Sequence, residues 1–98
     1  MSRKDAVEGI IFQALKTLNQ ERGPDEQIDI GADTALFGPD AVLTSLELVS
    51  VMVDIETLAA DEFGQPISLT DDEAMGRDPV PFLNVSTLRA YILELLGE

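Results

Sequence analysis

The side chains able to do chemistry in this 98-residue chain are nineteen carboxylates, six basic residues and a scatter of hydroxyls, with histidine and cysteine both absent. Without histidine there is no side chain that titrates near neutral pH unaided, and the commonest transition-metal ligand is missing. Without cysteine there is no thiolate nucleophile, disulfide framework or thiolate metal site. A serine–lysine pair would have to recruit Lys4 or Lys16, both in the same N-terminal segment. A calcium loop starting at Asp25 fails, because Ile30 stands where the loop needs glycine and Leu36 where it needs a bidentate glutamate. Gly38-Pro39-Asp40 lacks the lysine and further glycines of a phosphate loop. Asn84-Val85-Ser86 spells a glycosylation acceptor but reads more simply as a helix cap. The expectation is a protein with no catalytic residues and no metal site.

One hydroxyl stands apart. Ser45 lies directly before Leu46-Glu47-Leu48-Val49, where an apolar helical periodicity begins. Serine and threonine are favoured helix caps, and Thr44 with Glu47 three residues on is a capping box, so capping alone accounts for both residues. The same position suits a second role: a phosphate on a serine at a helix N-terminus is stabilised by the free amides and the positive end of the dipole.

The elements that position Ser45 are all helical. Val7, Ile10, Ile11, Ala14, Leu15 and Leu18 form a stripe of 3.6-residue period. They predict a first helix over 3–20, with Ser2 and Asp5 able to cap its start and Gly23-Pro24 closing it. Residues 21–43 predict a long connection, anchored by Ile28, Ile30, Leu36 and Phe37, with a single helical turn near 33–37. The second helix starts at Thr44 or Ser45 and runs to about Glu62, before Phe63-Gly64-Gln65-Pro66 stops it. Leu48, Met52, Ile55 and Ala59 give it one apolar face, which Leu46, Val49 and Val53 widen, so it is expected to be central. Thr70-Asp71-Asp72-Glu73 is a capping pattern for a short third helix ending near Gly76. A last helix starts near Ser86 with Leu88, Ile92, Leu95 and Leu96 on one face. There is no strand alternation, repeat or low-complexity segment, and the expectation is one all-α domain over 1–98.

Charge follows the same map. The formal net charge is −13, and between Arg22 and Arg77 there are thirteen acids and no base. The six acids outside that window are matched by the six bases, so the middle of the chain carries the whole excess. This sign disfavours nucleic acid and anionic lipid as partners. No apolar run is long enough for a membrane span and no signal-type stretch follows Met1, so a soluble cytoplasmic protein is expected. Such acids either keep the surface solvated or form a docking face for basic partners.

The run Thr44-Ser-Leu-Glu-Leu-Val-Ser-Val-Met-Val-Asp-Ile-Glu56 resembles the phosphopantetheine attachment region of acyl carrier proteins. Ser45 matches the modified serine and Leu46 the leucine after it; Val49, Met52, Ile55 and Glu56 match the remainder of that helix. The resemblance extends along most of the chain, from the amphipathic first helix through the long loop to a final helix led by Val-Ser-Thr-Leu. It departs from the family in having Thr44 where the family has Asp, in the stretch separating Asp40 from Ser45, and in a second helix about one turn longer.

The resemblance implies a four-helix bundle of acyl-carrier type, with a long loop between helices 1 and 2 and a short helix 3. It implies that a phosphopantetheinyl transferase, with Mg²⁺ and coenzyme A, attaches a 4'-phosphopantetheine arm to Ser45. The arm's thiol then holds acyl intermediates as thioesters, as in fatty acid biosynthesis and other lipid metabolism. Glu47, Asp54 and Glu56 on the second helix, with Asp71, Asp72 and Glu73 on the third, would meet basic docking surfaces on acyl-loading and acyl-transferring enzymes. Ser50 and Val51 would lie near this strip. Leu46, Val49, Met52, Val53, Ile55, Leu88 and Ile92 would form an aliphatic core able to part for an acyl chain. The carrier would act as a monomer. Two other readings use the same residues: an unmodified acidic helical adaptor in which Thr44 and Ser45 serve only as caps, and a nucleic-acid mimic, which the aliphatic second helix disfavours.

Overall fold

The computed structural model describes residues 3–69 and 80–97. Among these residues the regular structure is all helical: α1 (Arg3–Glu21), a 3₁₀ turn (Pro24–Glu26), α2 (Ser45–Phe63) and α3 (Val85–Leu95). The expected short helix over 70–76, with Asp71, Asp72 and Glu73, lies outside the described residues, as does Ser2.

α1 buries Val7, Ile10, Ile11, Ala14, Leu15 and Leu18, the full predicted stripe. It packs against both α2 and α3. From α2 the core receives Val51, Met52, Ile55 and Ala59, and from α3 Val85, Leu88, Tyr91 and Ile92. Ile28, Leu36, Leu43, Leu69 and Phe82 complete it from the connections. Glu8 pairs with Arg89 across the α1–α3 seam.

Local chemistry sets the helix ends. Thr44 is the N-cap of α2: its hydroxyl accepts from the Glu47 amide, and the Glu47 carboxylate accepts from the Thr44 amide at 2.9 Å. Gly64 ends the helix at φ 70°, a left-handed conformation that favours glycine, and its amide reaches Ala60 O. Asn84 caps α3, accepting from the Thr87 amide at 2.9 Å. α3 therefore starts at Val85, and its buried face carries Val85 and Tyr91, while Leu95 remains 38% exposed.

The long connection is tied down along its length. Asn19 exchanges two hydrogen bonds with the Ile28 backbone. The Thr34 hydroxyl donates to Asp29 O and accepts from the Gly31 amide, both at 2.8 Å. The expected turn at 33–37 is instead extended: Ala35 forms an isolated antiparallel bridge with Asn84, and the Leu36 and Phe37 amides both donate to Leu83 O. Backbone donors there find a nonlocal partner, which satisfies them as well as a helical turn would. Gly38 then takes φ 97° to start the turn that the Ala41 amide closes onto Gly38 O.

No helix among the described residues is long and apolar enough to cross a membrane.

Candidate functional site around Ser45

The capping box assigns one task to each residue at the start of α2. Thr44 takes the cap, so Ser45 is the first helical residue. Ser45 is exposed, and its hydroxyl has no hydrogen-bond partner among the described residues. Of the two hydroxyls, one is consumed in holding the helix end and the other is exposed beside it. At this position the exposed first-turn amides and the helix dipole favour an attached anion.

Arg22 holds that helix end in place. Its guanidinium donates to both Glu47 oxygens, Nε to Oε2 at 3.2 Å and Nη2 to Oε1 at 2.6 Å. It also donates to Glu26 O at 2.9 Å and to Val42 O at 3.1 Å. One side chain thus joins the end of α1, the 3₁₀ turn, the end of the long loop and the first turn of α2. The hydrogen bonds from Arg22 hold the Glu47 carboxyl below its ordinary pKa, and the bond from the Thr44 amide adds to the effect. The sequence reading missed Arg22. Its one available signal was position, as the last base before the acidic stretch.

The expected docking carboxylates fall into different environments. Glu47 is half-buried and engaged by Arg22 and Thr44, which fixes it in the first turn of α2. Glu56 is also half-buried, and its Oε2 accepts from the Leu69 amide at 2.7 Å, fastening the chain after α2 back onto the helix. Asp54 alone of the three is exposed. Ser50 is exposed, whereas Val51, expected beside the docking strip, is only 2% exposed and belongs to the core.

The apolar residues of α2 divide differently from the expectation as well. Met52 and Ile55 are in the core with Leu88 and Ile92, but Leu46, Val49 and Val53 are 84%, 54% and 50% exposed. These three sit at i, i+3 and i+7 and form a single outward stripe. The physical reason is that α1 covers only part of the α2 circumference among the described residues, and the Val51–Met52–Ile55–Ala59 face is the one turned into the core.

On the other side of Ser45 lies a depression of about 270 Å³ between the long loop and the first turn of α2. Leu36, Phe37, Leu43 and Leu48 form its apolar wall, and Thr44 and Ser45 lie along it. The Phe37 ring is held edge-on against Phe82, with centroids 5.2 Å apart.

No group of three or more Asp or Glu among the described residues is arranged to hold a metal ion. Comparison of the chain with protein-family models, curated proteins and solved structures finds no match.

Proposed function

We propose that this protein is an acyl carrier whose Ser45 hydroxyl receives a 4'-phosphopantetheine arm. The observation that carries the reading is the division of labour at the start of α2: Thr44 is consumed as the cap, while Ser45 is exposed in the next position, its hydroxyl bonded to none of the described residues. A residue serving only as a cap would have its hydroxyl turned onto a backbone amide, as Thr44 does.

In the attachment step the Ser45 oxygen attacks the pantetheine-linked phosphorus of coenzyme A. The bond from that phosphorus to the other phosphate of the pyrophosphate breaks, adenosine 3',5'-bisphosphate leaves, and the serine proton passes to a base of the transferase. The transferase and its Mg²⁺ supply this chemistry; the carrier supplies an accessible hydroxyl on a fixed helix end. The arm's thiol then accepts an acyl group as a thioester, so a chain without cysteine acquires its one thiol with the cofactor. The helices would belong to a four-helix bundle of carrier type, and the protein would work as a cytoplasmic monomer.

Docking would use the Leu46–Val49–Val53 stripe as the contact and the surrounding acids as the means of orientation. An apolar stripe gives short-range affinity, while carboxylates such as Asp54 attract basic enzyme surfaces from further away. Such association is fast and salt-sensitive, as a shuttle between enzymes requires.

The experiment is intact-mass measurement after incubation with coenzyme A, Mg²⁺ and a broad-specificity phosphopantetheinyl transferase. The expected result is a gain of one phosphopantetheinyl group, absent in Ser45→Ala. No gain, or a gain that persists in Ser45→Ala, overturns the proposal.

Thr44 itself favours a second reading, an unmodified acidic adaptor of the same helical build. Threonine stands where the resembled family has aspartate, and it completes a capping box that needs no modification to explain it. Under that reading Ser45→Ala leaves every binding property unchanged.

A further inference from the structure

We propose that the depression between the long loop and the first turn of α2 is the seat of the arm's first segment. The inference rests on the carrier reading of Ser45 and adds to it the direction in which the arm leaves the protein.

The depression has the right position. Ser45 forms part of its lining, so a group joined to that hydroxyl enters it without crossing open surface. It also has the right chemistry. The segment of a phosphopantetheine arm next to the phosphate is a branched hydrocarbon, a carbon bearing two methyl groups, and polar amides follow only beyond it. Phe37 and Leu48 bring apolar surface beside the attachment point, and Thr44 and Ser45 bring polar surface, which fits a segment carrying two methyl groups next to a phosphate. A depression of about 270 Å³ is large enough to take that segment.

The walls are held before any arm arrives. The Leu36 and Phe37 amides are fixed on Leu83 O, the Val42 amide on Ala35 O at 3.0 Å, and Arg22 holds Val42 O. A preformed seat loses little conformational freedom on binding. An arm lying on the loop side also leaves Leu46, Val49 and Val53 uncovered, so cargo presentation and partner docking use opposite sides of Ser45.

The test uses uniformly ¹³C-labelled protein carrying an unlabelled arm, prepared with coenzyme A and a transferase and verified by mass. Isotope-filtered nuclear Overhauser spectra then report which side chains lie near the arm's paired methyls. The expected result is cross-peaks to the Phe37 ring and to Leu43 and Leu48 methyls. In Ala41→Phe, which fills the depression, those cross-peaks are lost and the paired methyls return to their shift in free coenzyme A. Phe37→Ala, which removes one wall at a half-exposed position, weakens the cross-peaks to Leu43 and Leu48 without filling the space. Cross-peaks to Val49 and Val53 instead, or none from a fully modified protein, overturn the seat and leave the carrier reading intact. A protein that gains no mass overturns the carrier reading, and the seat with it.

Discussion

The two faces of α2 carry similar side chains and have opposite fates. One face, Val51, Met52, Ile55 and Ala59, is buried to 2% exposure or less; the other, Leu46, Val49 and Val53, is at least half exposed. Composition does not separate them, because valine stands on both. What separates them is contact: α1 packs against α2, the first face joins the common core, and no described element covers the second. In the proposed carrier the open stripe beside an exposed serine would serve as a surface for a partner, whereas the same residues turned inward would be only core.

The largest effect that tests this difference is on the buried face. Ile55→Ala is expected to cost about 2–5 kcal/mol of unfolding free energy in denaturant titration, as a fully buried isoleucine should. A cost below about 1 kcal/mol would mean that the face is not packed as described.

Next comes the clasp that holds the helix end. Arg22→Gln is expected to cost about 1–2 kcal/mol, because two carbonyls and the Glu47 carboxylate lose a charged donor at a partly exposed site. Its pH dependence has a definite sign. The Glu47 pKa is lowered in the folded protein, so its contribution is present above the ordinary glutamate value of about 4.3 and is lost as pH falls through the lower folded value. Glu47→Gln should therefore flatten the acid limb of stability below about pH 4.3, measured by melting temperature across pH. An unchanged acid limb would remove the clasp from the account.

A smaller effect is expected at the cap. Thr44→Ala should cost about 0.5–2 kcal/mol in the same denaturant titration, with Ser45→Ala costing less because the Ser45 hydroxyl bonds none of the described residues. Equal costs would place both hydroxyls in the cap. The smallest stability change belongs to the open face: Val49→Ser is expected within about 0.5 kcal/mol of the parent. The same variant should weaken transfer of an acyl group from a loading enzyme, read as a raised KM; an unchanged KM would leave the stripe without a partner.

What could be read from the sequence follows the range of the interactions. The stripe of α1, the Thr44–Glu47 capping box, the Gly64 stop and the Asn84 cap are local patterns within one or two turns, and each stands where the residues placed it. The outward face of α2 was not legible, since apolar residues cover most of its circumference and periodicity alone does not say which arc a neighbour takes. Arg22 and Glu47 are twenty-five residues apart, and nothing in either neighbourhood announces their pairing. The pairing of 32–37 with 83–86 is likewise nonlocal and has no strand alternation to signal it. For Ser45 the sequence offered two roles for two adjacent hydroxyls; the geometry gives the cap to Thr44.

In the proposed carrier Ser45, freed by Thr44 from capping, is the residue that bears the arm. Fragmentation mass spectrometry of the transferase-treated protein is the decisive measurement, since Thr44, Ser45 and Ser50 lie close together in the sequence and must be told apart. The expected result is a single phosphopantetheinyl group on Ser45 and none on Thr44 or Ser50. A group on either neighbour, or an unmodified peptide, would contradict it.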